Sequence, residues 1–256
     1  MFDLTGKVAV VTGASSGMGA DAAMGYAQAG ADVAILARRK EKLDAVAEKV
    51  RAATGRKVLA IQCDVKDVNQ IQAAVEAIMA EFGHIDILLN NAGRSMRGGV
   101  DTMSEELWDD TMDTNLKSMF YMCKFVVPHM IEQNYGKIVN VASLNALIGD
   151  KEESGYRHAY NASKAGVLGL TLGMACSYGK YNITVNAVAP GPFKTEITMN
   201  GLYANPAFES FYNNLCPMGR TPRDGELNGT LLYLSSDASS YVTGQLIAVS
   251  GGCELV

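Results

Sequence analysis

The amino-acid sequence predicts an α/β fold, in which a doubly wound, mostly parallel sheet of seven strands is covered by helices on both faces. Short runs of small apolar residues, such as Val8–Val11, alternate with longer segments whose apolar residues recur at helical spacing. Continuous apolar runs are typical of parallel strands buried on both faces. Repeated strand–helix–strand units favour a parallel sheet with right-handed crossovers. Because no Pro-rich, Ser-rich or charged linker divides the 256 residues, we expect a single domain over residues 1–256.

Seven strands are predicted from short apolar runs, which comprise Val8–Val11, Asp32–Ala37, Lys57–Gln62, Ile85–Leu89, Lys137–Val141, Thr184–Val188 and Leu246–Val249. Helices are predicted where apolar residues recur every three or four positions, after Gly19 and then at Glu41–Ala53, Val68–Phe82, from Ser104, Thr114–Gln133, Ala159–Tyr178 and Leu227–Leu234. Ser104 is expected to cap its helix. Pro128 is expected to kink its helix or to mark the last turns. Ligands of such sheets bind beyond the carboxyl ends of the strands, so a site is expected at that edge.

A glycine-rich turn lies between the first strand and the first helix. It contains Gly13, Ser15, Ser16, Gly17, Met18 and Gly19. Glycines let the backbone turn sharply and let a pyrophosphate approach closely, while the N–H groups and dipole of the helix start favour an anion. The turn therefore indicates a dinucleotide site, although a purely structural turn is the alternative.

Composition excludes several classes of partner. The chain has 22 Lys and Arg against 27 Asp and Glu, a net charge of −5 and no basic run, which argues against nucleic acid. No signal peptide is recognised, and no apolar run approaches the roughly 18 residues of a membrane helix. The five cysteines are scattered without a Cys-x-x-Cys pair, so neither disulfides nor a zinc or other metal site is expected. We therefore expect a cytoplasmic enzyme with reduced thiols.

The residues after the second strand favour one of the two nicotinamide dinucleotides. Dinucleotide folds often carry an acid there for the adenosine ribose, but this strand ends at Ala37 and is followed by Arg38 and Arg39. A guanidinium binds a 2′-phosphate through a charge-assisted fork, and Ser15 and Ser16 could add hydroxyl donors. NADP(H) is therefore predicted, with NAD(H) as the alternative. The alternative is that these basic residues are simply exposed to solvent at the start of a helix, although cations are disfavoured at that end of a helix.

Tyr160 and Lys164 form a candidate proton-transfer pair. Residues four apart share one face of a helix, so both side chains can reach the same site. A nearby ammonium favours the phenolate and lowers the pKa of a tyrosine, which suits acid–base work. The pair alone is weak evidence, because such a spacing also occurs by chance on amphipathic helices.

Nearly the whole chain resembles the short-chain dehydrogenase/reductase family. The motifs occur in that family's order, from Thr12-Gly13, Gly17 and Gly19 through Asn90-Asn91-Ala92-Gly93, Asn115, Ser143, Tyr160 and Lys164 to Pro190-Gly191 and Thr195. The resemblance implies a Rossmann fold and an oxidoreductase acting on a ketone or secondary alcohol. It also implies that Ser143 orients the substrate oxygen, Tyr160 exchanges its proton and Lys164 tunes Tyr160 and holds the ribose. Asn115 would hold a water in the proton path.

The same resemblance assigns further cofactor contacts. Asp64 and Val65 would lie at the adenine, although Asp64 is nearly as well explained as a turn or capping residue. Asn91, Ala92 and Gly93 would lie beside the cofactor, and Pro190, Gly191 and Thr195 at the nicotinamide. A non-catalytic nucleotide sensor on the same fold is the alternative, but the sequence keeps all four members of the proton-transfer set.

The sequence departs from the family pattern between Ser143 and Tyr160, where the gap is four residues longer than usual. Tyr156 stands at the usual distance, but it is followed four residues later by Tyr160 rather than by Lys. We therefore predict Tyr160 as the acid and a loop at about 150–157 beside the substrate entrance. A second departure is Ser250, where the family often has Asp.

The sequence constrains the identity of the substrate and the oligomeric state less than it constrains the fold and the cofactor. Residues 193–218 resemble the family's substrate lid, whose apolar residues fit a steroid, bile acid or acyl chain, whereas Arg94 and Arg97 fit the carboxylate or phosphate of a sugar acid or carrier-bound acyl group. Family members commonly pair through two long helices, and those predicted here carry excess apolar surface, with Gly166, Gly169 and Gly173 on the second. A homotetramer, or a homodimer, is expected.

Overall fold

The computed structural model describes residues 2–255 and contains one sheet of seven parallel strands in the order β3-β2-β1-β4-β5-β6-β7. The strands are β1 (Val8–Thr12), β2 (Asp32–Ala37), β3 (Val58–Gln62), β4 (Ile87–Asn90), β5 (Gly136–Val141), β6 (Ile183–Pro190) and β7 (Leu246–Val249). The predicted fold class and all seven predicted strands are confirmed. The strand order reverses between β1 and β4, and this switch point is where such sheets bind ligands.

Nine α-helices connect the strands within the described residues. They are α1 (Gly17–Gln28), α2 (Lys40–Thr54), α3 (Val68–Phe82), α4 (Glu105–Met112), α5 (Ser118–Glu132), α6 (His158–Tyr178), α7 (Glu196–Asn200), α8 (Phe208–Leu215) and α9 (Asn228–Ser235). Ser104 caps α4 as predicted, since its side chain accepts a hydrogen bond from the Leu107 N–H at 3.2 Å. None of the helices in residues 2–255 combines the length and apolar character needed to cross a bilayer.

The core lies on both faces of the sheet. Within β1, Ala9 and Val11 pack in a cluster with side chains of α1, α2 and α9, whereas Val8 and Val10 pack in a second cluster with side chains of α3, α5 and α6. Successive side chains of a strand point to opposite faces, so an all-apolar run feeds both clusters. This two-sided burial explains why the strands read as continuous apolar runs.

The helical region before β5 differs from the prediction. A helix was expected to start near Thr114, but the chain is helical without a break from Glu105 to Glu132 and passes through a π-helical turn at Asp113–Lys117. Apolar periodicity does not reveal one extra residue in a turn, so two helical patterns in different phase were read as two helices. Pro128 lies in the penultimate turn, in agreement with one of its two predicted placements.

Candidate functional site

Two adjoining clefts lie at the carboxyl edge of the sheet. The first lies at the switch point and brings together the predicted cofactor residues Gly13, Ser15, Ser16, Gly17, Met18, Gly19, Arg38, Arg39, Asp64, Val65, Asn91, Ala92, Gly93 and Thr195. The second is lined by Ser143, Tyr160, Lys164, Pro190 and Gly191 together with lid residues. Met18, Asn91, Gly93 and Thr195 line both clefts, so the two form one continuous site.

Two glycines of the glycine-rich turn, Gly13 and Gly19, are packed too closely for a larger residue. A Cβ added to Gly13 would lie 2.8 Å from the Ala92 Cα, and one added to Gly19 would lie 2.5 Å from the Gly13 carbonyl oxygen. Gly13 also has a φ of +68°, which favours glycine. Thr12 Oγ1 accepts hydrogen bonds from the Asn91 and Ala92 N–H groups at 3.0 Å, so the loops after β1 and β4 are held together.

The start of α1 fits a bound pyrophosphate. Ser16 is its N-cap residue, but the Ser16 side chain makes no capping hydrogen bond. The first N–H groups of the helix therefore lack a side-chain acceptor and face the cleft lined by the glycines. These residues fit the diphosphate of a dinucleotide.

A cationic group lies beside the two serines of this turn. Arg39 donates through Nη2 to Ser15 Oγ and to Ser16 Oγ, both at 3.0 Å, and through Nη1 to Glu196 Oε2 at 2.6 Å. Arg38 is exposed and lines the same cleft without these contacts. The structure therefore brings Arg39, rather than Arg38, against the predicted phosphate-binding hydroxyls.

Asp64 has a structural role as well as a place in the cleft. Its Oδ1 accepts a hydrogen bond from the Lys66 N–H at 3.0 Å, which is the turn role considered above. The capping residue of α3 is Asp67, whose side chain accepts from the Asn69 and Gln70 N–H groups. Asp64 thus stabilises the loop after β3 and also lines the first cleft, which we call the cofactor cleft.

Tyr160 and Lys164 lie one turn apart on α6, with the Lys164 Nζ 5.7 Å from the centre of the Tyr160 ring. Lys164 is buried and donates to the Val141 carbonyl at 2.7 Å, and burial lowers its pKa to about 8. Tyr160 is partly exposed to the cleft. Desolvation of its hydroxyl raises its pKa, while the neighbouring Ser143 hydroxyl and the positive charge of Arg157 act in the opposite direction.

Ser143 follows β5 and begins a single 3₁₀ turn at Leu144–Ala146. Its hydroxyl oxygen accepts a hydrogen bond from the Asn145 N–H at 3.2 Å, which fixes the side chain. The end of β5 places Ser143 in the second cleft, where it lies near the Tyr160 hydroxyl of α6. The structure therefore brings together two of the residues predicted for proton transfer.

Asn115 lies in the π-helical turn and is fully buried. Its Nδ2 donates to the Arg94 carbonyl at 2.9 Å and to Ser163 Oγ at 3.0 Å, and its Oδ1 accepts from the Arg94 N–H at 2.8 Å. π-helical turns are frequent at functional sites. Here the turn lets one side chain join the loop after β4 to α6, next to Lys164.

The predicted insert lies beside the second cleft. Arg157 forms an ion pair with Asp150 at 3.2 Å, and both residues line that cleft. The Gly98 N–H donates to the Tyr156 carbonyl and the His158 N–H donates to the Gly98 carbonyl, so the end of the insert pairs with the loop after β4. The Tyr156 ring stacks on His158 at 5.0 Å and does not line the cleft.

The lid covers the second cleft unevenly. Phe193, Ile197, Leu202, Phe208 and Tyr212 line it, whereas Met199 and Phe211 are exposed and point elsewhere. The apolar residues of the predicted lid therefore divide into a group that lines the cleft and a group that is exposed. This division depends on where two short helices begin, which the sequence pattern does not specify.

Three arginines line the second cleft: Arg94, Arg97 and Arg157. Arg94 is in ion-pair contact with Asp110, while Arg97 is exposed at the rim. Sequence reasoning proposed Arg94 and Arg97 but gave Arg157 only as the end of the insert. Arg157 is the N-cap residue of α6 and has a non-helical backbone conformation, so its approach to the cleft depends on how the insert folds and helical periodicity does not reveal it. Glu196 was also missed, because it reaches the site from the lid.

Comparisons with known proteins cover almost the entire chain. A protein-family model described as "Enoyl-(Acyl carrier protein) reductase" matches residues 13–254. The 2-dehydro-3-deoxy-D-gluconate 5-dehydrogenase of Escherichia coli (strain K12) is 42% identical over 255 residues, which are 98% of this chain and 96% of that protein. A 3-oxoacyl-acyl-carrier-protein reductase of Thermotoga maritima is 40% identical over 249 residues, covering 97% of this chain and 98% of that protein.

Solved structures of similar dehydrogenases and reductases also match this chain over almost its whole length. A short-chain type dehydrogenase/reductase from Mycobacterium marinum is 37% identical and superposes with a TM-score of 0.92, covering 98% of this chain and 97% of the other. A gluconate 5-dehydrogenase from Burkholderia cenocepacia J2315, solved in complex with NADP and tartrate, is 34% identical and superposes with a TM-score of 0.93, covering 100% of this chain and 98% of the other.

Proposed function

This chain belongs to the short-chain dehydrogenase/reductase family of oxidoreductases, and we propose that it transfers hydride between NADP(H) and a sugar acid that carries a ketone or a secondary alcohol. The observation that carries the proposal is the continuity of the two clefts. A dinucleotide cleft with an arginine against two serines opens directly onto a proton-exchanging Ser143–Tyr160 centre beside Arg157.

The preference for NADP(H) is supported by the charges around the end of β2. Ala37 provides no carboxylate to bind ribose hydroxyls or to repel a phosphate, and Arg39 already donates to two serine hydroxyls. A guanidinium binds phosphate through parallel charge-assisted hydrogen bonds. A neighbour at 34% identity was solved with NADP, which agrees with this assignment.

Each residue of the proposed site has a separate role in the reaction. The bound nicotinamide would supply or accept the hydride. During reduction of a ketone, Tyr160 donates its proton to the carbonyl oxygen as the carbon–oxygen double bond becomes a single bond, and Ser143 holds that oxygen. Lys164 would bind the nicotinamide ribose. Asn115, in the π-helical turn, holds the loop after β4 in place beside the groups that would relay the proton. The raised pKa of Tyr160 keeps its hydroxyl protonated and ready to donate.

The proposed substrate class rests on the cations of the second cleft. Arg157 is only 12% exposed in its side chain and points into a cleft that also contains Arg97. A partly desolvated guanidinium with a single carboxylate partner favours an additional anion, which the carboxylate of a sugar acid supplies. Relatives and neighbours named for gluconate and 2-dehydro-3-deoxy-D-gluconate agree with this choice.

A 3-oxoacyl thioester is the second candidate substrate. Ile148, Ile197 and Phe208 give the cleft an apolar wall that an acyl chain would bury. A relative at 40% identity is named for this reaction. The arginines favour the sugar acid, because an acyl chain beneath the lid would leave the Arg157 guanidinium without a new partner.

A substrate panel followed by nicotinamide absorbance tests the proposal. It contains gluconate and 2-dehydro-3-deoxy-D-gluconate, the neutral sugar alcohol and ketose of matched length, and a 3-oxoacyl thioester. We expect turnover of a sugar acid and a kcat/KM at least about tenfold lower for its neutral counterpart, since the carboxylate–arginine contact is then lost. Preferential turnover of the thioester or of the neutral sugars would overturn the assigned substrate class.

Arg157→Ala gives the matched mutational test. We expect it to raise the KM for the sugar acid about tenfold or more and to leave the KM for the neutral sugar nearly unchanged. Arg223→Ala, which removes an exposed arginine outside both clefts, is the control and should behave as the parent does. An equal change for acid and neutral substrates would argue against a carboxylate contact at Arg157.

A further inference from the structure

The anion-binding group beside the glycine-rich turn is already paired with a carboxylate of the chain itself. Glu196, the first residue of α7 in the lid, accepts from Arg39 Nη1 through Oε2 and from Lys42 Nζ through Oε1, each at 2.6 Å. Arg39 and Lys42 belong to the start of α2, on the other side of the cofactor cleft. The lid is therefore tethered across the adenosine end of the cleft by one side chain.

The same group has the composition of a phosphate site. It contains the Arg39 guanidinium, the Lys42 ammonium and the hydroxyls of Ser15 and Ser16. The carboxyl end of β2, at Ala37, contributes no acid to it. Glu196 lines the cleft beside Arg39, so its carboxylate takes hydrogen bonds that an entering phosphate would need. Two anions cannot share these donors without repelling each other.

We infer that Glu196 is a specificity-determining residue that competes with the 2′-phosphate of NADP(H) for Arg39 and Lys42. The inference rests on the proposed use of NADP(H), which places a 2′-phosphate at Arg39. NAD(H) has no such phosphate and leaves the Glu196 contacts intact. Glu196 thereby narrows the difference in affinity between the two cofactors.

The exposure of the tether agrees with a contact that a ligand can replace. The side chains of Arg39, Lys42 and Glu196 are 45%, 53% and 43% exposed, respectively. Ion pairs that are this exposed are weak and are screened by salt. A phosphate carries more charge than a carboxylate and offers three oxygens, so it displaces Glu196 at a modest cost in affinity.

Displacement would also release the lid from α2. Thr195 caps α7 by accepting from the Thr198 N–H at 3.2 Å, and a Cβ added to Gly17 would lie 2.9 Å from the Thr195 side chain. Glu196 thus follows directly on the residue that packs against the glycine-rich turn. Binding of the 2′-phosphate frees the lid at its Glu196 contact while Thr195 stays packed.

Calorimetric titration with NADP⁺ and NAD⁺, which differ only in the 2′-phosphate, tests the inference without any turnover. We expect Glu196→Gln to bind NADP⁺ about three- to tenfold more tightly than the parent, because two exposed ion pairs no longer compete. The affinity for NAD⁺ should change less than about twofold, and the gain for NADP⁺ should shrink at high salt. Glu209→Gln removes another lid carboxylate, which pairs with Lys194 outside the cofactor cleft, and should leave both affinities unchanged.

The outcomes separate this inference from the proposed cofactor preference. If the parent binds NAD⁺ more tightly but Glu196→Gln still gains affinity for NADP⁺ alone, the proposed preference fails and the inference stands. If Glu196→Gln binds NADP⁺ no better, or only binds NAD⁺ less well, the competition is refuted whatever the parent prefers. An equal gain in Glu209→Gln would show a general charge effect and would also refute it.

Discussion

The ionisation of two side chains on α6 is governed by desolvation. The Tyr160 hydroxyl is held in its neutral form, and the Lys164 ammonium is destabilised because its side chain is buried and its hydrogen bond goes to a neutral carbonyl. The neighbouring Ser143 hydroxyl and the positive charge of Arg157 act in the opposite direction and lower the pKa of Tyr160. Arg157 therefore lines the second cleft and also acts on the ionisation of Tyr160.

Replacement of Tyr160 tests its role as the proton donor. Tyr160→Phe is expected to lower kcat by about 10²- to 10⁴-fold, the range for loss of a general acid, while the dissociation constant for NADP⁺ stays within about threefold. Tyr156→Phe is the control, because its ring stacks on His158 outside the cleft, and it should keep most of the activity. Steady-state rates and calorimetry give both quantities, and the reverse ranking of the two variants would show that Tyr156 is the acid.

The buried Lys164 predicts a pH dependence of stability. Its native pKa is about 8 and its ordinary value is 10.5, so between these values the unfolded chain binds the additional proton and the free energy of unfolding rises with pH. Over this window the parent should gain up to roughly 3 kcal/mol relative to Lys164→Met, since one pKa unit corresponds to about 1.4 kcal/mol. Urea denaturation of both proteins without nucleotide, at pH values on either side of the window, measures the difference. A difference that does not vary with pH would contradict the burial of a protonatable amine at this position.

At the residue scale, the sequence located the site better than it assigned partners within it. Gly13, Ser143, Tyr160 and Lys164 were predictable because short motifs fix their spacing along one strand or one helical turn. Arg39, rather than Arg38, contacts the serines because adjacent residues at a helix start point in different directions, which periodicity does not reveal. Glu196 is 157 positions away from Arg39, and such a contact exists only once the lid is folded.

At the scale of elements, the π-helical turn is the feature that couples the helix before β5 to the site. One inserted residue lets Asn115 turn inward and bind the loop after β4 and Ser163 of α6 at the same time. Amide side chains that satisfy several buried groups are difficult to replace, since each partner then loses its hydrogen bond. This turn therefore holds three elements in register at the candidate site.

Removal of the Asn115 side chain should be costly for folding. Asn115→Ala removes the hydrogen bonds to the two Arg94 backbone groups and to Ser163 Oγ, and we expect the free energy of unfolding to fall by about 2–4 kcal/mol. Asn69→Ala on the exposed face of α3 is the control and should change it by less than about 0.5 kcal/mol. Urea denaturation measures both, and a loss below about 1 kcal/mol in Asn115→Ala would indicate that the network contributes little.

The elements themselves were largely predictable from residue patterns. All seven strands were found because a parallel sheet buried on both faces leaves continuous apolar runs. The segment at 150–157, expected as a loop beside the substrate entrance, contributes Asp150 and Arg157 to the second cleft, since additional residues between two fixed positions must form a loop. The π-helical turn was missed because an extra residue within a helix changes the phase of the pattern and carries no composition of its own.

At the scale of the whole molecule, α5 and α6 retain exposed apolar surface. Phe120 is 49% and Leu172 55% exposed, and within residues 2–255 no atom lies within 4 Å of a Cβ added to Gly169 or Gly173, whereas a Cβ on Gly166 would meet Leu116. Gly166 thus serves internal packing, and only Gly169 and Gly173 remain free to admit a partner helix. This surface supports the expected self-association through a two-fold contact.

Light scattering at micromolar concentration tests this assembly. We expect a mass that is a multiple of 27.3 kDa, with Leu172→Glu shifted to a smaller species because a buried, unpaired carboxylate would oppose the contact. Val100→Glu, which charges an exposed apolar residue in a loop, should retain the mass of the parent. A parent mass near 27.3 kDa would indicate a monomer and remove the proposed role of this surface.

The most direct test of the account compares kcat/KM for NADPH and NADH in the reduction of one sugar-acid ketone by the parent protein. Arg39 after β2, the serine hydroxyls of the glycine-rich turn and the absence of an acid at Ala37 predict a higher kcat/KM with NADPH, by about tenfold or more. An equal or higher kcat/KM with NADH, or no oxidation of either cofactor with any ketone, would contradict the account.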